Sequence, residues 1–249
     1  MDGLTVKIYA DGAELDSILK LAANPLIKGF TTNPTLMRKA GITDYSGFAR
    51  ELIAAVPDRP ISFEVFADDL PEMASQAREI ARWGANVNVK IPITNSKGES
   101  CVPIIEELSG EGVQLNITAI FTLDQVRDVA NALYADTPAI VSVFAGRVAD
   151  TGVDPLPIMA SAVGILKARP KAELLWASPR ELLNIFHADS IGCHIITVTH
   201  DVLNKLPIIG KDLDSYSLET VRMFYDDARS AGYMIDTGAS EAAGIQAAD

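Results

Sequence analysis

What most constrains this chain is a rhythm. Short runs rich in Val and Ile recur at intervals too long for hairpins and right for strand–helix–strand units. Residues 6–10, 29–32, 61–66, 87–91, 113–117, 139–144, 172–177 and 194–198 read as strands. Residues 14–23, 44–56, 70–83, 101–109, 123–133, 155–168, 179–188 and 201–206 read as the helices that follow them. Strands of this composition, with little glycine inside them, suit a parallel sheet covered on its outer face by helices. Eight evenly spaced pairs in 249 residues predict an α/β chain closed into a (β/α)8 TIM barrel. A doubly wound open sheet fits less well, because Asp11-Gly12-Ala13-Glu14, and no glycine-rich phosphate loop, follows the first strand. The barrel is expected to be one domain over residues 1–236, including a helix at 218–230. Residues 237–249 are expected to form an Ala- and Gly-rich tail, either flexible or docked on a neighbouring subunit.

Capping signals mark several boundaries. Thr122 with Gln125 three residues on has the capping-box spacing. Ser178 before Pro179, with Glu181 following, predicts a second helix start. Gly84 and Gly110 each close a helix-like segment, as residues tolerating positive φ should.

Several strands carry polar residues at their C-terminal ends, on alternating positions. Ser62 and Glu64 share one face of the third strand, Asn88 and Lys90 one face of the fourth, and Asn116 and Thr118 one face of the fifth. The first strand ends in Asp11, and the second runs into Thr31-Thr32-Asn33-Pro34. The sixth supplies Ser142, with Phe144 and Arg147 just beyond, and the seventh leads into Ser178 and Arg180. The helix-facing side of a closed barrel must be apolar, so these residues are expected to point inward at the end where sites of this fold lie.

Taken singly, each has an ordinary structural explanation. A strand lysine such as Lys90 is commonly an edge or snorkelling residue. Asp11 reads as a turn or N-cap, and Asn33-Pro34 as a loop signal. Thr118 and Ser142 are residue types that bond to nearby backbone, while Arg147 has Asp150 and Arg180 has Glu181 within reach. Jointly they describe a chemistry. An ammonium held among apolar groups is poorly solvated, which makes the free amine that attacks a ketone easier to reach. The resulting iminium is an electron sink for breaking or making the adjacent carbon–carbon bond. A carboxylate must then move a proton, and Asp11 and Glu64 are the candidates. Lys90 in this role needs no cofactor.

Charge bounds the partners. The 33 acidic against 21 basic residues give a formal charge of -12, which disfavours nucleic acid and anionic membranes. Any anionic substrate therefore needs a local cluster of arginine. The two cysteines, Cys101 and Cys193, make no disulfide framework, and three widely spaced histidines make no metal site. Residues 1–11 lack a basic region followed by an apolar run, and no eighteen apolar residues run without charge. These features lead us to expect a cytoplasmic protein that is neither secreted nor membrane-spanning.

The ordered motifs resemble those of the transaldolase family, including its short, barrel-only members. They are Tyr9-Ala10-Asp11, Thr31-Thr32-Asn33-Pro34-Thr35, Phe63-Glu64-Val65, Val89-Lys90-Ile91-Pro92, Leu115-Asn116-Ile117-Thr118, Ser142-Val143-Phe144-Ala145-Gly146-Arg147 and Ala177-Ser178-Pro179-Arg180. The resemblance implies a barrel of the class I aldolase type, with Lys90 forming the Schiff base and Asp11 acting as general acid/base. It further implies that Glu64 and Thr118 position a catalytic water. Asn33, Asn116 and Ser142 would bind a dihydroxyacetone unit, and Arg147, Ser178 and Arg180 the terminal phosphate of a sugar phosphate. A homo-oligomer, as pentamer or decamer, is implied as well. Fructose-6-phosphate aldolases of this family release free dihydroxyacetone and carry Gln and Tyr where this chain has Glu64 and Phe144, which favours transaldolase. The family's usual Ala-Ser-Phe-Arg is Ala-Ser-Pro-Arg here, after Trp176, and Thr199-His200 stands where a Ser-Pro pair is common. These departures leave open a sulfosugar or other specialised ketose as substrate. A sugar-phosphate sensor without activity is the reading from a different class.

Overall fold

The computed structural model describes residues 3–237. Eight parallel strands close into a barrel in chain order: β1 Lys7–Asp11, β2 Ile27–Thr31, β3 Ile61–Glu64, β4 Val87–Pro92, β5 Leu115–Ile120, β6 Ala139–Val143, β7 Ala172–Trp176 and β8 Ile195–Thr199. The predicted (β/α)8 architecture is therefore the observed one. β2 begins two residues earlier than predicted, and β5 is displaced towards its C-terminal end. The chain divides into two units, Met1–Leu206, which contains the whole barrel, and Pro207–Asp249. The second unit holds the helix Leu213–Ser230, capped by Asp212, whose side chain accepts from the Ser215 N–H at 2.8 Å. Residues 238–249, most of the predicted tail, lie outside the described residues.

Two apolar clusters follow from period-two alternation. The larger lies between barrel and helices and includes Phe30, Phe63, Val89, Ile91, Ile117, Val141, Leu174 and Trp176. The smaller comprises Tyr9, Ile140, Leu175, Ala177 and Ile195. Its strand residues have the same parity as Asp11, Ser142 and Thr197, so it fills the barrel interior beneath the polar mouth. Gly29 makes room there: a Cβ at this position would stand 2.6 Å from the Tyr9 ring. Trp176, one residue from Leu175, faces the helices and is fully buried away from the mouth.

Three local expectations need correction. The helix predicted from Pro179 begins at Leu183; Ser178 adopts φ 57°, and the Asn184 side chain accepts from the Arg180 and Glu181 N–H groups in the intervening turn. Gly84 and Gly110 do not take up positive φ; Gly112 does, at φ 83°. Gly84 and Gly110 instead allow close packing, since a Cβ would stand 3.0 Å from Asn86 Oδ1 and 3.1 Å from the Tyr134 ring respectively. Two six-residue helices, Pro34–Lys39 after β2 and Ala145–Asp150 after β6, were not anticipated. The Thr122–Gln125 capping box is present as read. Among the described residues, no helix is long and apolar enough to cross a membrane.

Candidate active site

The in-register pairing of parallel neighbours carries the inward residues onto one level. Glu64 pairs with Lys90 and Lys90 with Asn116, while Asp11 pairs with Thr31 on one side and Thr199 on the other. They line a cavity of about 440 Å³ at the C-terminal mouth of the barrel, together with Asn33, Thr118, Ser142, Phe144, Arg147 and Ser178. Of the residues given a role by the family resemblance, all but Arg180 line this cavity, whereas Thr32, Ser62 and Asn88, also read as pointing inward at the strand ends, do not.

Lys90 is buried, and its Nζ donates to the Thr32 carbonyl at 2.7 Å and to Glu64 Oε2 at 3.1 Å. The expectation of apolar neighbours therefore changes: a carbonyl and a carboxylate solvate the ammonium in place of water. Glu64 and Lys90 are 18% and 10% exposed at their side chains, so their attraction is little screened. Such pairs are retained at a desolvation cost, and removing one partner leaves the other charge uncompensated.

Asp11 reaches the mouth from β1. Its Oδ1 accepts from Thr31 Oγ1 at 2.9 Å and its Oδ2 from Asn33 Nδ2 at 3.1 Å. Burial raises its carboxyl above the usual range, more than the Lys90 charge and the two hydrogen bonds lower it. An acid held this way keeps its proton to higher pH than an exposed aspartate. Thr31 Oγ1 also lies 2.5 Å from Thr197 Oγ1. Asn33 acts twice: its Oδ1 accepts from the Leu36 N–H at 2.9 Å, capping the helix Pro34–Lys39, with Pro34 at its first turn. The loop signal in Asn33-Pro34 was thus a helix start aimed at Asp11.

The opposite wall is neutral. Ser142 Oγ donates to Asn116 Oδ1 at 2.6 Å, and Asn116 Nδ2 donates to Ser62 Oγ at 3.0 Å. This orients the amide of Asn116, a buried side chain, without bringing a charge to it. Thr118 stands where the β5–β6 register shifts between Ile117 and Ile120, and Ala119 next to it takes φ 60°. Such a bulge re-aims side chains, and both Thr118 and Ala119 line the cavity.

At the rim, Arg147 rises from the helix Ala145–Asp150 with its Cζ 5.5 Å from the Phe144 ring centre. A Cβ on Gly146 would stand 1.5 Å from the Ser178 carbonyl oxygen, so glycine is required there. The Gly146 N–H donates to the Ala177 carbonyl at 3.2 Å. This contact brings Arg147 and left-handed Ser178 to the same edge of the cavity. The guanidinium of Arg180 turns instead to Asp150, with Nε–Oδ1 at 2.9 Å and Nη2–Oδ2 at 2.5 Å. His200 lines an adjoining cavity, also about 440 Å³, reached on the other flank of Asp11 and shared with Glu14, Ser17 and Lys39.

Thr197, Thr199, Ala119, Leu175 and Ala177 belong to the cavity wall without having been assigned to it, and Thr31, read at the end of the second strand, is there too. The signal for Thr197 and Thr199 was present in the alternation of β8, where both share the inward parity. Ala119 had no such signal, because a bulge breaks the alternation that would have placed it.

Comparison with known proteins identifies the family. The family model described as transaldolase/fructose-6-phosphate aldolase matches residues 8–243. A probable transaldolase of Dehalococcoides mccartyi is 38% identical over 202 residues, covering 81% of this chain and 90% of that protein. One of a Thermoanaerobacter species is 35% identical over 231 residues, covering 92% and 100%. Among solved structures, a putative lyase/mutase of Burkholderia cenocepacia J2315 superposes with TM-score 0.57 at 15% identity, covering 93% of this chain and 86% of that one. KGPDC of Streptococcus mutans gives TM-score 0.54 at 9% identity, covering 79% and 89%. At those identities the structures speak to the barrel alone, whereas the family match and the sequence relatives span most of the chain. The chain belongs to the transaldolase/fructose-6-phosphate aldolase family.

Proposed function

We propose that this protein is a transaldolase that moves a dihydroxyacetone unit from a ketose phosphate to an aldose acceptor through a Schiff base on Lys90. The observation that carries the reading is the buried Lys90 amine, 3.1 Å from Glu64, in a cavity that also holds Asp11. In this reaction the amine attacks the donor ketone, and water leaves as the iminium forms. Asp11 takes the proton of the hydroxyl next to the breaking bond and the aldehyde product departs. The electron pair left behind is held as an enamine, which then attacks the acceptor aldehyde, and Asp11 returns the proton to the new alkoxide. Water then adds to the iminium carbon of the product, with Glu64 and Thr118 serving its proton transfers, and the C–N bond breaks to release the new ketose and the free Lys90 amine. Asn33, Asn116 and Ser142 bind the three-carbon unit. Arg147 and Ser178 hold the terminal anion, supplying the local positive charge that a chain of net charge -12 otherwise lacks.

Glu64 and Phe144, standing where the free-dihydroxyacetone aldolases carry Gln and Tyr, favour transfer over release. The same reading carries a cytoplasmic location and a homo-oligomer, and the exposed Leu213, Leu218, Val221 and Phe224 on one helix support the second of these. The test is borohydride trapping with fructose 6-phosphate, read by mass spectrometry, beside a Lys90→Met control. Donor consumption is followed with and without erythrose 4-phosphate. A reduced adduct on Lys90 and turnover that requires the aldose are expected. Steady turnover without the aldose would make the protein an aldolase. Adduct formation with a sulfonated ketose in preference to the phosphate would move the substrate class to sulfosugars.

A further inference from the structure

The C-terminal end of β3 lacks a strand on one side. β2 pairs with β3 only through Phe30–Ile61 and Thr31–Ser62, and the last bond on that edge is Thr32 N–H to the Ser62 carbonyl at 3.3 Å. The chain then turns at Asn33 into the helix Pro34–Lys39, so no strand backbone meets the next polar pair of that edge, the N–H and C=O of Glu64. On the opposite edge the ladder continues, with Val65 N–H donating to the Lys90 carbonyl at 3.1 Å. A partly buried N–H and C=O left without partners would each carry an uncompensated desolvation cost. Here one atom serves both. The Glu64 N–H donates to Tyr45 Oη at 2.7 Å, and the Tyr45 hydroxyl donates back to the Glu64 carbonyl at 3.0 Å.

The phenol is itself held. Its ring stands 4.6 Å from that of Phe66, 5.6 Å from Trp83 and 6.1 Å from Phe63, the latter two edge-on. Burial raises its hydroxyl well above the ordinary phenol range, so it remains a donor across all working pH.

We infer that Tyr45 is a positioning residue for the reaction at Lys90. Its hydroxyl replaces the missing strand at the Glu64 backbone and thereby fixes the Glu64 carboxylate against the Lys90 amine. The inference rests on the Schiff-base reading above. A proton-moving carboxylate acts only within hydrogen-bond reach of its target, so loosening the backbone beneath Glu64 slows the proton steps while the donor-binding groups stay in place.

The test compares Tyr45→Phe, which removes only the hydroxyl, with Trp83→Phe, which loosens the same aromatic cluster and leaves the hydroxyl in place. For each full-length protein one measures the rate of trappable adduct formation with fructose 6-phosphate, kcat and KM with erythrose 4-phosphate present, and thermal unfolding. Tyr45→Phe is expected to slow adduct formation and kcat by about tenfold or more with KM within about twofold, and Trp83→Phe to keep kcat within about twofold whatever its unfolding temperature. Unchanged rates in Tyr45→Phe overturn the inference, as does an equal kcat loss in Trp83→Phe. Absence of any adduct on the wild-type protein with phosphorylated or sulfonated ketoses overturns the Schiff-base reading itself, a failure visible before either variant is compared.

Discussion

On the β1–β4 side of the barrel mouth, the side chains that line the cavity include three ionisable ones, Asp11, Glu64 and Lys90. Thr31 and Asn33 serve Asp11, and Glu64 serves Lys90. Across the cavity, on β5 and β6, Asn116 and Ser142 bond in a neutral chain, with Ile140 and Leu175 packed below them. The two walls have similar burial but opposite energetics. Buried charges cost several kcal/mol in desolvation and are tolerated where their proton chemistry is used. A satisfied amide–hydroxyl chain is cheaper and holds a fixed shape. On the proposed mechanism, the first wall would carry the reaction and the second the binding of substrate.

The sharpest way to break this division is Asp11→Asn. Turnover is expected to fall roughly 10²–10⁴-fold, as loss of a general acid/base does, while adduct formation on Lys90 persists. Stability should move the other way. The raised Asp11 carboxyl binds its proton more readily in the folded protein than in the unfolded chain. Its contribution therefore favours the fold below the unfolded pKa of about 4 and is lost as pH rises through the higher folded value. Thermal unfolding should show Asp11→Asn more stable than wild type at about pH 8, with the difference closing near pH 4. A variant that is less stable at both pH values would mean that the charged wall is held together by its charges and not strained by them.

Next in size is the rim. Arg147→Ala should raise the KM of a phosphorylated donor roughly ten- to a hundredfold, since hydrogen bonds to charged groups contribute about 1.5–3 kcal/mol. Arg180→Ala, with its guanidinium engaged by Asp150, should raise it by less. Equal effects in steady-state kinetics would show that Arg180 leaves Asp150 when substrate arrives. The smallest change is expected from Ser142→Ala, which strands the Asn116 carbonyl oxygen. It should cost about 1–3 kcal/mol in denaturant unfolding, with a weaker effect on kcat than on KM. A kcat loss matching that of Asp11→Asn would erase the distinction between the two walls.

Legibility in the sequence followed distance along the chain. The inward faces of β3, β4 and β5 were readable because Ser62 and Glu64, Asn88 and Lys90, and Asn116 and Thr118 lie two residues apart, the period of a strand. Arg180 was assigned a neighbour in sequence, Glu181, but its partner is Asp150, 30 positions away with a helix and β7 between them. The start of the helix after β7 was misplaced because Ser178 satisfies a capping pattern, yet its contact with Gly146 requires a left-handed turn there. Tyr45 gave no signal of its own: it lay inside the predicted helix 44–56, and its hydroxyl finds Glu64 only after β2 has ended.

Alternating apolar runs, their spacing and the parity of polar residues sufficed to determine a closed eight-stranded barrel with Lys90, Asp11 and Glu64 facing inward, because these patterns are local and each repeats the same strand–helix unit. Tertiary structure alone decided what those groups bond to: Thr32 and Glu64 for Lys90, Thr31 and Asn33 for Asp11, Tyr45 for the Glu64 backbone. The physical reason is that hydrogen-bond partners are set by register between strands and by where each strand stops, and both are outcomes of closing the barrel rather than properties of any one segment.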